Sequence, residues 1–268
     1  LAAVLNIVLD LVFIIFFHWG APGAAWATVV SQGVSGLLCL IYIWKAVPEL
    51  KMKREDWHFD KYIAGKQISV GIPMGLQFSI TAIGTMMVQS SLNILGSYAV
   101  AAFTAGSKIE SIFTQAFVAI GTAMSTYNAQ NIGARKLDRV RKGFRSADVI
   151  GCTFFVGKYF AYLFISDNAE VVIPMVETYL QCVGMFMIPL YVVNSYRNGF
   201  QGMGYGLLPM LSGVAELVGR GIMAIVASNK KSYTMACMAS PFAWIVATVL
   251  LIGLYFYVMK DMKKKLCL

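Results

Sequence analysis

Charged side chains are scarce in this sequence of 268 residues. Asp, Glu, Lys and Arg together make up 13% of the chain, whereas hydrophobic residues make up 58%. Soluble domains carry about 25% charged residues. A soluble domain of this length could not bury so much apolar surface in one core, so the surplus must face lipid. The composition therefore predicts an integral membrane protein.

The residues that usually carry catalysis or bind metals are also few. The sequence has two histidines and five cysteines, with no Cys-x-x-Cys pair and no nucleophile–base pattern. The glycine-rich stretch at 199–206 follows an apolar segment, so it predicts a tight turn between helices and argues against a phosphate-binding loop. The sequence predicts no catalytic residue, no cofactor, no disulfide framework and no metal site other than the Na⁺ site considered below.

Uninterrupted apolar segments dominate the chain. They are about 20 residues long, which suits membrane-spanning helices, because barrel strands need only about 10 residues and alternate polar with apolar side chains. A lipid-exposed backbone must satisfy its own hydrogen bonds, which a helix does. The sequence therefore predicts an all-α, polytopic membrane helix bundle. The eight predicted segments are 1–18, 23–45, 67–94, 98–128, 145–165, 171–196, 206–228 and 233–259.

Basic residues occur in blocks between these segments. If the segments alternate in direction, the blocks at 46–66 and 129–145, Arg197 and the basic tail all lie on one side. The opposite side keeps only the pair Lys230 and Lys231. The positive-inside rule predicts a plasma-membrane protein whose C-terminus is cytoplasmic. Basic blocks of this kind do not indicate nucleic-acid binding, although the net charge is +9.

Three polar residues in the first two segments form a candidate cation site. Asn6 and Asp10 are one helical turn apart and share a face. Thr28, in the next segment, could add another oxygen across a short hairpin. Hard oxygen ligands suit Na⁺, and a carboxylate can also carry a proton. The alternative is that these side chains only hold helices together by hydrogen bonds.

Three further ionisable residues predict an intramembrane polar network. Glu216 and Arg220 are four residues apart on one helix, so they could neutralise each other or act as an ion pair that breaks during transport. Glu110 is expected to face a polar cavity or a partner helix such as the one that carries Arg220. An interfacial location for Glu110 stays open.

Five sequence motifs resemble the multidrug and toxic compound extrusion (MATE) family. The order and spacing of the motifs also match, and the likeness covers essentially the whole chain. The motifs are GAPGAAWATVVSQ (20–32), GIPMGLQ (71–77), QNIGARKLDR (130–139), RNGFQGMG (197–204) and ELVGR (216–220).

The resemblance implies a transporter of twelve helices in two pseudo-symmetric lobes. Residues 1–45 would then be the last two helices of the N-lobe, 46–66 the cytoplasmic linker between lobes, and 67–268 a six-helix C-lobe with a basic tail. The chain would hold eight of the twelve helices, with the first four expected upstream of Leu1. The division at 46–66 also follows from charge alone, because this is the longest and most charge-dense connection.

The resemblance is to the DinF-like prokaryotic branch, and it implies a cation site. Members of that branch use an Asp on the first helix, an Asn and an Asp on the fifth, and a Thr on the sixth. Asn6, Asp10 and Thr28 are similar in type and spacing. Other branches use a Glu on the seventh helix, and segment 67–94 contains no acidic residue. The implied activity is export of drugs or other amphipathic organic compounds by antiport with Na⁺ or H⁺, by a protein that contacts lipids and is monomeric at full length.

Two other functions stay open at this point. A flippase for lipid-linked oligosaccharides, from the same superfamily, would need several basic residues in its cavity to bind pyrophosphate. Away from the segment ends, the basic residues within the segments are Lys108, Lys158 and Arg220. The third interpretation is a transport-inactive membrane fragment or scaffold, because eight helices cannot enclose a cavity between two complete lobes.

Overall fold

The structure is a computed structural model that describes residues 2–48, 58–155 and 172–266. These residues form helices and turns without any strand, so the all-α prediction is confirmed. The centre of the predicted linker (49–57), the second half of segment 145–165 and Lys158 lie outside the described residues. In chain order the helices are α1 (Ala2–Leu11) continued by a π-helical turn (Val12–Phe16), α2 (Gly20–Ala46), α3 (Lys61–Leu95), α4 (Ser97–Gly133), α5 (Leu137–Phe155), α6 (Val172–Gly184), α7 (Met187–Gly202), α8 (Leu207–Lys230), α9 (Tyr233–Cys237) and α10 (Ala239–Lys265).

Four of the described helical stretches are long and apolar enough to cross a membrane. They are α2, α3, α8 and the stretch Tyr233–Lys265, which joins α9 to α10. A fifth span results if α6 and α7 are counted together. Helix α4 is long, but its Ser, Thr, Asn and Gln residues lower its hydropathy. The figure of eight spans therefore stays a prediction.

Large apolar side chains cover the outer surface of the helices. In a soluble protein such a surface would aggregate, whereas in a bilayer it is the surface that lipid solvates. The helices are thus apolar both toward one another and outward. Examples that are more than half exposed are Val4, Leu40, Trp44, Phe78, Met86, Val249 and Phe256.

The chain divides into two compact units, Leu1–Lys61 and Tyr62–Leu268, and the division falls within the connection predicted at 46–66. In the first unit, α1 and α2 form a hairpin. The hairpin depends on Gly23, because a Cβ there would lie 3.1 Å from the Phe13 Cβ. Phe13, Phe17 and Trp19 pack their rings together at the turn.

The second unit has an apolar core between α4, α5, α6, α7 and α10. Phe144, Tyr196, Phe200 and Tyr255 form its aromatic centre, with most ring pairs edge to face. Helix α8 packs on α10 where small residues meet. A Cβ at Gly219 would lie only 2.8 Å from the Ala243 Cα, so this crossing requires glycine.

The predicted segment 171–196 is two helices in the structure. Helices α6 and α7 are bent by 52° at Met185 and Phe186. Pro189 explains the break, because a proline ring clashes with the carbonyl four residues earlier, here that of Met185. The predicted glycine-rich turn is also shorter than expected. Helix α7 continues to Gly202, and the turn is confined to Met203–Gly206, where Gly204 has a φ of 86°.

The end of α10 is attached to this turn by a polar cluster. The Tyr205 hydroxyl donates a hydrogen bond to the Asp261 carboxylate, and the Lys265 ammonium lies 2.7 Å from the same carboxylate. Burial raises the pKa of Tyr205, and its hydrogen bond to Asp261 raises that pKa further. The C-terminal end of the last helix is therefore fixed to the connection between α7 and α8.

Candidate functional site

The structure brings two of the three predicted cation-site residues into contact. The Asn6 side-chain amide on α1 donates a hydrogen bond of 3.4 Å to the Thr28 hydroxyl on α2. The Thr28 hydroxyl in turn donates to the Ala24 carbonyl at 3.0 Å. Because the Asn6 amide nitrogen is the donor, its side-chain oxygen is left as an acceptor.

Asp10 lies one turn beyond Asn6 on the same helix face. Its Oδ1 atom is buried and has no hydrogen-bond partner among the described residues. An oxygen without a donor keeps its lone pairs available to a ligand, and a carboxylate oxygen is a hard ligand for a cation. Together with the Asn6 oxygen and the Thr28 hydroxyl it offers hard oxygen ligands, which is the chemistry that Na⁺ requires. The residues present thus fit part of a Na⁺ coordination sphere.

The backbone changes immediately after Asp10. Helix α1 ends at Leu11, and residues Val12–Phe16 form a π-helical turn in which the Phe17 N–H donates to the Val12 carbonyl at 3.1 Å. Single π-helical turns are rare and often occur at functional sites, because the wider turn displaces side chains and carbonyl groups from their α-helical positions. The sequence analysis missed this turn, and the uniformly apolar stretch VFIIF contains no signal for it.

A second polar group lies in the Tyr62–Leu268 unit and consists of Arg197, Glu216 and Arg220, here called the arginine–glutamate triad. Arg197 binds the Glu216 carboxylate, and Arg220 binds its other oxygen at 3.2 Å. The side chains of Arg197, Glu216 and Arg220 are 14%, 3% and 8% exposed. Two guanidinium groups face one carboxylate, so the triad keeps one net positive charge.

The triad joins three helices by further hydrogen bonds. The Arg197 Nε donates to the Ser212 hydroxyl at 3.0 Å, and the Arg220 Nη1 donates to the Thr81 carbonyl on α3 at 3.4 Å. Gly84 makes room for this, because a Cβ there would lie 3.1 Å from the Arg220 Cδ. With its partners the triad therefore connects α3, α7 and α8 around one carboxylate.

The sequence analysis ended its segment at residue 196 and counted Arg197 among the basic residues of the following connection on the cytoplasmic side. The structure places it inside α7, five residues before the helix ends at Gly202. The glycine-rich stretch that follows suggested that the helix had already ended. The sequence did contain a signal for this contact. Glu216 is an acidic residue within an apolar segment, and the family motifs place Arg197 and Arg220 as candidate partners.

Glu110 stands apart from the triad. It accepts a hydrogen bond from the Tyr179 hydroxyl of α6, and its interaction with Arg220 is electrostatic at longer range. Tyr179 is 2% exposed and packs edge to face on Phe103 at 4.8 Å. Gly106 allows the approach, because a Cβ there would lie 2.9 Å from the Tyr179 Cγ. The predicted network of Glu110, Glu216 and Arg220 is thus divided into two groups.

No group of three His, Cys, Asp or Glu side chains is close enough to hold a metal ion within the described ranges. The polar chemistry includes the Asn6–Thr28 hydrogen bond, the unpartnered oxygen of Asp10, the arginine–glutamate triad and the Glu110–Tyr179 contact. Ionisable groups in apolar helices are typical of membrane carriers. The fold and these groups therefore define a polytopic α-helical membrane protein of the transporter class.

The family follows from the sequence comparisons. The MatE family model matches residues 73–226, so this chain belongs to the MatE family, whose members are transporters and not enzymes. The resemblance drawn from the five motifs is confirmed, as is the prediction of a multi-pass membrane protein. The DinF-like branch stays a prediction.

Two relatives come from Bacillus subtilis (strain 168). The "Probable multidrug resistance protein YpnP" is 34% identical over an alignment of 221 residues, which covers 78% of this chain and 48% of the relative. The "Probable multidrug resistance protein YoeA" is 26% identical over 97% of this chain and 60% of its own length. The chain thus spans about half of the first relative and three fifths of the second.

Solved structures share the fold. A MOP superfamily transporter from Pyrococcus furiosus Vc1 matches with a TM-score of 0.86 and 22% identity, over 98% of this chain and 62% of that one. At this identity the match establishes the fold alone. It confirms that the described helices have the arrangement of a membrane transporter of this type.

Proposed function

We propose that this chain forms part of a secondary transporter that exports amphipathic, drug-like compounds in exchange for Na⁺ or H⁺. The observation that carries the proposal is the unpartnered Oδ1 atom of Asp10, one turn from the Asn6–Thr28 hydrogen bond. The names of the Bacillus subtilis relatives support a small-molecule substrate of the drug type. Membrane lipids are the surrounding solvent, and a monomer is the proposed assembly.

The mechanism follows from the charge of Asp10. When the carboxylate is empty, its buried negative oxygen is unsatisfied, and this state favours a conformation in which water or a cation reaches the site. When a proton or Na⁺ binds, the charge is neutralised and the closed packing of α1 on α2 becomes favourable. A substrate that prefers the opposite conformation is then exchanged for the cation.

The two coupling ions make different demands on the neighbours of Asp10. A proton needs the carboxylate alone, whereas Na⁺ also needs the oxygens of Asn6 and Thr28. Substitution of Thr28 by Val should therefore weaken Na⁺ coupling strongly and H⁺ coupling only slightly. The two ions can thus be distinguished by a residue that does not itself titrate.

The experiment measures ethidium efflux from membrane vesicles under an imposed Na⁺ or pH gradient. It compares the unaltered protein, Asp10→Asn, Thr28→Val and the matched control Glu177→Gln, an acid-to-amide change on α6. Because the chain spans only about half of its first relative, the assay is run on this chain and, if its gene encodes a longer protein, on that protein as well. We expect Asp10→Asn to abolish gradient-driven efflux and Glu177→Gln to retain it. Full activity of Asp10→Asn would remove Asp10 from the mechanism.

The flippase alternative has less support. It needs free cationic side chains for pyrophosphate, but both arginines of the triad are committed to Glu216. Of the three basic residues considered for binding pyrophosphate, Arg220 is paired and Lys158 lies outside the described residues, which leaves Lys108. The inactive-fragment alternative is decided by the same assay, since it requires that this chain alone produce no efflux.

A further inference from the structure

A basic cleft lies at the end of the Tyr62–Leu268 unit where α4, α5 and α10 meet. Its volume is about 550 Å³. The connection between α4 and α5 and the first turn of α5 form most of its wall, and the end of α10 contributes Lys263. The lining residues are Arg135, Lys136, Leu137, Asp138, Arg139, Arg141 and Lys263.

Most of the positive charge in the cleft has no partner. Asp138 is the one acidic lining residue, and its carboxylate lies 3.7 Å from Arg141 and is 90% exposed. The side chains of Arg135, Lys136, Arg139 and Lys263 form no hydrogen bond or ion pair with any residue that the structure describes. By contrast, Lys265, half a turn beyond Lys263, is paired with Asp261 at 2.7 Å. Four uncompensated cations around one cavity create a strong local potential for an anion.

The backbone that carries these cations is fixed before any ligand arrives. The Lys136 N–H donates to the Asn131 carbonyl at 2.8 Å, and the Tyr127 hydroxyl donates to the Arg139 carbonyl at 3.2 Å. Arg135 has a φ of 56°, a left-handed backbone conformation that residues other than Gly and Asn seldom adopt. Helix α5 also begins in the cleft at Leu137, and its N-terminus adds a partial positive charge.

We propose that this basic cleft binds the phosphate group of an anion, with an anionic phospholipid headgroup as the favoured source. Guanidinium groups bind phosphate through paired hydrogen bonds, and lysines add charge. The apolar sequence of α10 runs to Met259, so Lys263 is one turn beyond it, at the depth of the headgroups. Basic pockets between helices at this depth are suited to lipid phosphates. A soluble phosphate would satisfy the same groups.

A purely topological role for these residues predicts different behaviour. Basic residues that only orient a protein attract anionic surfaces diffusely, in proportion to total charge. A formed site saturates, and it depends on the residues that line it more than on charge elsewhere. The double substitution Lys230→Gln with Lys231→Gln gives a matched control, because it removes the same charge from an exposed pair at the opposite end of the α9–α10 stretch.

The test uses the whole chain, purified in a neutral detergent at fixed ionic strength. Its melting temperature is measured during titration with phosphatidylglycerol, phosphatidylcholine or inorganic phosphate. The variant Arg135→Gln with Arg139→Gln is compared with the lysine control, and Lys263→Gln tests the α10 side of the cleft separately. These side chains are exposed, so the variants are expected to fold.

We expect phosphatidylglycerol to raise the melting temperature saturably and phosphatidylcholine not to. The arginine variant should bind it about tenfold or more weakly, and the lysine control should bind it as the unaltered chain does. If inorganic phosphate reproduces the effect with the same dependence on the arginines, and phosphatidylglycerol does not, the site is retained and the ligand is a soluble anion. Equal weakening by both double variants, or no preference for a phosphate anion, would overturn the proposal.

Discussion

Two carboxylates, that of Asp10 in the first unit and that of Glu216 in the second, are held differently inside apolar helices. In the first unit, 11% of the residues in the apolar stretch of α2 are buried, and the Oδ1 atom of Asp10 has no hydrogen-bond partner among the described residues. In the second unit, 44% of the residues in the apolar stretch of α8 are buried, and each carboxylate oxygen of Glu216 is bound by an arginine.

This difference separates two uses of charge in a membrane protein. A fully satisfied buried charge holds helices together, because removing one partner leaves the others uncompensated. A buried charge without a partner does not stabilise the fold while no ligand is bound. Its interaction with a ligand then contributes favourable free energy to binding. We therefore interpret the arginine–glutamate triad as structural and Asp10 as the ligand-dependent residue.

The largest effect is expected at the triad. Glu216→Gln keeps the shape of the side chain but leaves Arg197 and Arg220 buried without a counter-charge, so it should lower the free energy of unfolding by about 3–5 kcal/mol. Chemical denaturation in detergent measures this, with Glu177→Gln as the control. If both variants lose the same small amount, the triad does not stabilise the second unit.

Glycine substitutions compare the packing of the two units directly. Gly219→Ala places a Cβ 2.8 Å from the Ala243 Cα and should destabilise the α8–α10 crossing by about 1–3 kcal/mol. Gly36→Ala on α2 meets no atom within 4 Å and should stabilise the helix by up to about 1 kcal/mol. The two thermal unfolding curves should shift in opposite directions. Shifts in the same direction would contradict the packing contrast.

Loss of the Glu110–Tyr179 hydrogen bond should lower the free energy of unfolding by less than loss of the triad does. Tyr179→Phe removes the hydroxyl that donates to a largely buried carboxylate, which should cost about 1–2 kcal/mol of unfolding free energy. Tyr98→Phe is the control, since Tyr98 is 65% exposed. Equal stability of the two variants, measured by denaturation, would show that Glu110 finds another donor.

The smallest effect on stability is expected at Asp10. Asp10→Asn breaks no hydrogen bond or ion pair at Oδ1, which has no donor among the described residues, so it should lower the free energy of unfolding by no more than about 0.5 kcal/mol. The same variant is the one expected to abolish gradient-driven efflux. A loss of stability as large as that of Glu216→Gln would mean that Asp10 is a structural residue, and the contrast between the units would fail.

The sequence alone determined the class of the protein and most of the helices. Apolar runs of membrane-spanning length are a local property, so segments such as 67–94 and 206–228 agree with α3 and α8 to within a few residues at most ends. Asn6 and Asp10 could be placed on one face because helical periodicity fixes it. The MATE resemblance likewise depended on short local motifs, and the family match at residues 73–226 confirms it.

Only the tertiary structure decided which polar groups meet. Arg197 and Glu216 are 19 residues apart and on different helices, and Glu110 and Tyr179 are 69 residues apart. Neither contact has a signature in spacing, because the crossing of two helices depends on the shapes of all the side chains between them. The π-helical turn after Asp10 is equally hidden, since its five apolar residues would suit an ordinary α-helix. The sequence therefore supplied the ionisable residues, and the packing of the helices determined which are satisfied and which remain free to bind.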